Sequence, residues 1–208
     1  MIQESILLVG AGSHAKACID VIEQEERFIV KGLVGNSNEK GTKILDYPVL
    51  GTDADIPALI KDCQNILITI GQIKTPETRI RLFRSFQNKD CSFPVIISPL
   101  SYVSSHAKIG CGTIIMHGCI VNAGARIGEN CIINSQALIE HDVAIEDHCH
   151  ISTGAKINGG AKIGAGTFIG SNSSVRENIY VGERCIISMG QNVYTDCKTG
   201  KVYSSDKN

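Results

Sequence analysis

The sequence predicts a small α/β domain with a parallel sheet over residues 1–97, followed by a parallel β-helix over residues 98–208. Three observations carry this. Apolar, strand-like segments alternate with amphipathic helical ones through the first half. A glycine-rich turn joins the first such strand to the first helix. An unbroken six-residue repeat of β-branched residues fills the second half.

In the first half SILLVG reads as a buried strand, and GAGSHAKACIDVIEQ as a turn opening into an amphipathic helix. FIVKGLVG is a second strand, IPALIKD a short helix and NILITIG a third strand. PETRIRLFRSFQ is a last helix, with Pro76 suitably at its start. Such alternation builds a small, Rossmann-like parallel sheet flanked by helices. The stretch Gly10-Ala11-Gly12-Ser13-His14-Ala15 satisfies G-x-G-x-x-A between strand and helix. A turn of this kind offers backbone N–H groups and a helix N-terminus to a phosphate. A dinucleotide site further expects an acid about 20 residues on, for the ribose hydroxyls. Gly35 and Asn36 stand there instead. The domain is also too short for a full dinucleotide fold, so a mononucleotide or sugar nucleotide suits the turn better than NAD.

From Val103, steps of six reach Ile109, Ile115, Val121, Ile127, Ile133, Ile139, Ile145, Ile151, Ile157, Ile163, Ile169, Val175, Val181, Ile187 and Val193. All sixteen positions are Ile or Val. Two residues before each, small side chains predominate, among them Ala125, Ala137, Thr167 and the cysteines 119, 131, 149 and 185. A period of six fits neither an α-helix nor a simple alternating strand. It fits short strands joined by tight turns that carry Gly, Asn or Asp in left-handed conformation. Three units close a triangular coil of about 18 residues, with coils stacked about 4.8 Å apart. Residues 101–196 supply roughly five coils.

Composition narrows the function. A net charge of −1 gives no electrostatic footprint for nucleic acid or an anionic membrane. No apolar run approaches the roughly 18 residues of a membrane span. MIQESILLVGAG lacks a basic leader, so a cytoplasmic protein is expected. The nine cysteines form no CxxC pair and are odd in number. Four share the small repeat position, where a free thiol acts as a small apolar residue, so neither disulfides nor a metal site are expected.

The repeat pattern [LIV]-G-x-x-x-x resembles that of the hexapeptide acyltransferases. With GAGSHAK in the first half and NSQALIEHD at 134–142, residues 5–195 resemble the sugar O-acyltransferases related to sialic acid O-acetyltransferases. That group includes N-acetyltransferases for UDP-, GDP- and dTDP-linked 4-amino-4,6-dideoxysugars. The resemblance implies a left-handed β-helix, a homotrimer, and acetyl-CoA bound between neighbouring prisms. It implies that Gly10, Gly12 and His14 receive the sugar nucleotide and that Asn134 holds the sugar. It makes His141 the general base, oriented by Asp142, and brings His150 and the Gly159 backbone N–H to the acetyl-CoA thioester. Two departures stand out: Gly35-Asn36 replace the paired acids of UDP-sugar members, and the chain closes on KVYSSDKN rather than G-x-P-A-K.

The residues themselves support this chemistry. His141 lies two positions past an inward Ile and so projects from a corner. Acetyl transfer to an amine or hydroxyl needs a base near neutral pH, which imidazole supplies. Asp142, or alternatively Glu140, can fix its tautomer. Gly159 stands one coil from His141, and glycine allows close ligand approach. His150 is half a coil away, so the two histidines share a site only across subunits. The function expected is acetyl-CoA-dependent N-acetylation of a dTDP- or UDP-linked 4-amino-4,6-dideoxysugar for surface glycan assembly, with O-acetylation of a sugar or sialic acid as the alternative. The other readings are a zinc enzyme of the γ-carbonic anhydrase type, invited by His141, His148 and His150, and a non-catalytic scaffold, in which His141 is an ordinary surface side chain.

Overall fold

The computed structural model describes residues 3–86 and 89–204. The first domain is a five-stranded sheet. β1 (Glu4–Val9), β2 (Phe28–Val34), β4 (Tyr47–Gly51) and β5 (Asn65–Ile68) run parallel in the order β4-β2-β1-β5. β3 (Lys43–Ile44) is added antiparallel at the edge next to β4. The helices are α1 (Ser13–Glu25), the single turn α2 (Ile56–Leu59) and α3 (Glu77–Phe86). Pro76 immediately precedes α3, as its missing N–H favours. Gln87, the last residue expected in that helix, lies outside the described residues.

The β3–β4 hairpin is absent from the sequence reading for a physical reason. Its two-residue turn is Leu45-Asp46, with Leu45 at φ 52°. Hairpin turns ordinarily announce themselves as Asn-Gly or Asp-Gly.

The second domain is a triangular parallel β-solenoid with faces of seven, six and five two-residue strands. Along the repeat each strand pairs with the one 18 residues on, as Val121 does with Ile139 and Ile139 with Ile157, and the last pair, Ile186 with Val202, is 16 apart. The repeated Ile and Val side chains are buried in the interior along nearly the whole prism. Each fully buried one contributes about 2 kcal/mol of hydrophobic stabilisation, which makes this stack the main driving force of the domain. Ile96–Ile97 already pairs with Ile114–Ile115, so the seven-stranded face begins just before the expected boundary at residue 98.

The small position two before each Ile or Val has a second task. Thr113, Thr167 and Ser173 donate their hydroxyls to the carbonyls of Gly128, Gly182 and Ser188 at 2.7–2.8 Å. The thiols of Cys119, Cys131 and Cys149 make the same bond to residues 134, 146 and 164. A short side chain with one donor fits here, and the described cysteines are all free thiols. The corners follow an equally strict rule: every sixth residue from Gly112 to Gly190 has positive φ, including Asn130, Asp142, His148 and Asn172.

The two domains are joined by contacts at the surface and in the interior. His117 bonds Asp20 of α1 at 2.8 Å and Ser98 at 2.6 Å, and Arg184 pairs with Glu77 of α3. Arg79 is the deepest link. It is 1 % exposed, and its guanidinium donates to the carbonyls of Ile68, Ile70 and Asn130 and to the Asn130 side chain, at 2.7–3.0 Å. No helix among the described residues is long and apolar enough to cross a membrane.

Candidate active site

Strand ends of the α/β sheet and the seven-stranded face of the prism enclose a cavity of about 1070 Å³. Topology puts it there, because a parallel sheet opens its crevice at the carboxyl ends of its strands. The Gly-rich turn forms one wall. Gly10 has φ +125°, and a Cβ on it would lie 2.6 Å from the Ile70 side chain and 2.9 Å from the Ile70 nitrogen. Gly12 is the N-cap of α1, carries no side chain to cover the helix end, and is followed by no acid in the first turn. The N-terminal N–H groups of α1 are therefore available to an anion in the cavity.

His14, also on this wall, has its pKa lowered to about 3 by burial, with Arg79 and His150 adding to the effect. It is neutral at physiological pH. The Cys18 thiol, pushed up to about 12 by burial, lies 3.5 Å from His14 Nε2.

Across the cavity stand Asn134 and His150. Burial lowers the His150 pKa to about 4, partly countered by its hydrogen bond to Gln72. Neutral His150 donates from Nδ1 to the Gln72 carbonyl at 2.6 Å, which leaves Nε2 as an acceptor. Asn134 Nδ2 lies 3.3 Å from that Nε2 and the Phe168 ring packs against the imidazole edge-on, centroids 5.1 Å apart. The structure thus gathers Gly10, Gly12, His14, Asn134 and His150 around one cavity. His150, expected at the acetyl-CoA thioester, shares this wall with Asn134, the residue expected on the sugar.

His141, Asp142 and Gly159 form a separate cluster, past the strand Leu138–Ile139 on the six-stranded face. The His141 side chain is 67 % exposed, and its Nδ1 lies 2.9 Å from Asp142 Oδ2. That bond raises the His141 pKa, with the charges of Asp142 and Glu140 adding to it. Neighbouring residues seldom converge in this way. Here Asp142 is a corner residue at φ 60°, which swings its side chain back over its predecessor. Gly124 makes room for it one coil earlier, where a Cβ would stand 2.4 Å from Asp142 Oδ1. Glu140 is engaged elsewhere, accepting from Asn122 Nδ2 at 2.9 Å and from the His141 backbone N–H at 3.3 Å. Gly159 lies directly beneath the imidazole: a Cβ there would sit 2.7 Å from His141 Nε2.

Three residues of this region escaped the sequence reading. Gln72 is buried, donates to the His148 and Gly166 carbonyls, and fixes His150 through its own carbonyl. Arg79 anchors the β5 end of the cavity to the prism. Glu39 lines the cavity beyond β2. The available signal was the motif-free loop after NILITIG and a lone Arg on the apolar stripe of α3. His148, by contrast, is a buried corner residue 3.0 Å from the Asn130 amide and edge-on to Phe83. Among the described residues no group of three or more His, Cys, Asp or Glu stands together in a way that could hold a metal.

Residues 5–86 match the PglD N-terminal domain family, and residues 106–141 and 160–190 match the bacterial transferase hexapeptide family. Among solved structures, PerB from Caulobacter crescentus, in complex with CoA and GDP-perosamine, is 26 % identical with a TM-score of 0.89, covering 95 % of this chain and 92 % of that one. The acetyltransferase domain of PglB from Neisseria gonorrhoeae, in complex with acetyl coenzyme A, is 24 % identical with a TM-score of 0.88, covering 97 % and 96 %. WeeI from Acinetobacter baumannii shares the fold at 21 % identity and a TM-score of 0.83, covering 95 % of each chain. No curated protein matches the sequence. With a PglD-type N-terminal domain joined to a transferase hexapeptide solenoid along nearly its whole length, the chain belongs to the hexapeptide-repeat sugar acyltransferase family and is an acetyltransferase.

Proposed function

We propose that the chain transfers acetyl from acetyl-CoA to the amine of a nucleotide-linked 4-amino-4,6-dideoxysugar, in the assembly of a surface glycan. The observation that carries this reading is an exposed imidazole bonded to Asp142 and lying over Gly159, on a protein whose other wall is a nucleotide-sized cavity. The likeness to a GDP-perosamine N-acetyltransferase supports an amine as acceptor. Nine free thiols suit a reducing, cytoplasmic setting.

In this mechanism Asp142 holds the His141 proton on Nδ1 and leaves Nε2 basic. Nε2 takes a proton from the amine as its nitrogen attacks the thioester carbonyl. The oxyanion that develops is met by the Gly159 N–H, and CoA departs as the carbon–sulfur bond breaks. Within one chain His141 belongs to a different face from the cavity residues Asn134 and His150. A neighbouring copy in a homotrimer therefore supplies the base. The outward column Tyr102, Ile120 and Leu138, in register on the same face as His141, is the apolar surface such a neighbour would cover. Acetyl-CoA lies in the same inter-prism groove, and no metal takes part.

A panel of UDP-, dTDP- and GDP-linked amino sugars with acetyl-CoA, followed by thiol release, tests the reading. Acetylation of one of them at the amine is the expected result, and the absence of turnover with all of them would count against it.

The pH profile follows from the geometry. His141 must be neutral to act, and its pKa lies above the usual histidine value, so activity rises with pH along a limb shifted upward from that of a free imidazole. Asp142→Asn removes the raising influence. Its acid limb is expected to move to lower pH while the plateau falls with the loss of ring orientation. An unchanged limb would show that Asp142 does not act on the base.

A further inference from the structure

The acid expected after the second strand is missing from the sequence, where Gly35-Asn36 occur, yet the structure puts a carboxylate in that space. Glu39 folds back over the end of β2. A Cβ on Gly35 would lie 2.7 Å from Glu39 Oε2, and the same point is 2.9 Å from the Ala11 side chain of the Gly-rich turn. The Asn36 backbone N–H donates to Oε2 at 2.7 Å and the Glu39 N–H donates to the Asn36 carbonyl at 2.9 Å, which closes a tight turn under the carboxylate. Glu39 is half-buried and lines the cavity. Its neighbour Lys40 is turned away to Asp55 at 3.1 Å. The glycine at position 35 is thus the space that a carboxylate from four residues on occupies.

We infer that Glu39 is the specificity-determining residue that receives the ribose hydroxyls of the nucleotide and selects a ribonucleotide over its 2′-deoxy counterpart. This rests on the sugar-nucleotide reading above. A diphosphate at the N-terminus of α1 sits against Gly10–Gly12, and the ribose is the next group along the nucleotide. Glu39 Oε2 and the Ala11 side chain of that same turn both lie within 3 Å of the point a Gly35 Cβ would occupy, so the carboxylate flanks the turn where the ribose follows the diphosphate, whereas the base extends further out. A carboxylate accepts hydrogen bonds and offers none, so it pairs with the vicinal 2′- and 3′-hydroxyl donors. A 2′-deoxyribose leaves it with one donor fewer. Within the range of linked sugars considered, this favours UDP- or GDP-linked substrates over dTDP-linked ones.

The test measures the affinity of the full-length protein for UDP and 2′-deoxy-UDP, and for GDP and 2′-deoxy-GDP, by calorimetry. The wild type is expected to bind the preferred ribonucleotide about ten-fold or more tightly than its deoxy form, the loss associated with one hydrogen bond to a charged group. Glu39→Gln keeps a carbonyl to accept the Asn36 N–H, so the turn is retained while the charge is lost. Its ribo-to-deoxy ratio is expected to fall toward one, and Glu39→Asp to recover part of it. Acetyl-CoA binding checks that each variant is folded. A wild type that acetylates a nucleotide sugar with equal affinity for ribo and deoxy forms overturns this inference and leaves the function standing, as does a ratio unchanged in Glu39→Gln. A protein that binds no nucleoside diphosphate overturns both.

Discussion

His141→Ala is expected to lower kcat by about 10²–10⁴-fold, the range typical of a lost general base, while the protein stays folded. The imidazole is mostly exposed, packs into no core, and bonds through its ring only to Asp142, so its removal opens no cavity. Binding of both substrates should persist, because the nucleotide cavity is built from other residues. The measurement is steady-state kinetics beside a thermal melt. Activity within about three-fold of wild type would return His141 to the status of an ordinary surface residue, and the base would have to be sought at the cavity wall. His150 is a poor replacement: burial holds its pKa down at about 4, and its Nδ1 proton is committed to Gln72. That makes it a fixed acceptor with little basicity.

Arg79→Met is expected to cost about 3 kcal/mol of stability, which for a chain of this size is a fall of roughly 6–12 °C in Tm. Methionine refills most of the stem volume. It cannot serve the carbonyls of Ile68, Ile70 and Asn130 or the Asn130 side chain, all of which lose their donors in a dry interior. Burial lowers the Arg79 pKa to about 10, so the guanidinium is still charged at neutral pH, held by oxygen dipoles. Arg79→Lys is expected to recover little, since an ammonium cannot spread a planar fork over acceptors on two domains. The same substitution loosens the loop after β5 that carries Gln72. The KM for the sugar nucleotide should therefore rise more than that for acetyl-CoA. A melting temperature equal to wild type would mean that the four bonds contribute no net stability.

Much of the site was legible because a solenoid converts sequence distance into spatial distance. A separation of 18 residues is one coil, and so Gly159 was expected beside His141 and is found against its ring. Nine residues is half a coil, and His141 and His150 do belong to different faces. The four repeat cysteines were read as inward and small, and they are buried. The choice between Asp142 and Glu140 was not legible. It turns on a backbone angle at one corner and on the empty side of Gly124, neither of which residue type reports. No carboxylate was legible at the end of β2, where Gly35-Asn36 stand, and Glu39 delivers one there by a local fold-back.

The sequence alone determined the period, the inward and outward positions, the glycine turn and the position of an exposed imidazole, because each is a local or strictly periodic property of the chain. The tertiary structure decided which groups meet: Arg79 on Asn130 across the two domains and Gln72 on His150. These are contacts between segments with no common repeat. Their geometry is set by how a sheet edge docks on a prism, and no spacing in the chain encodes that docking.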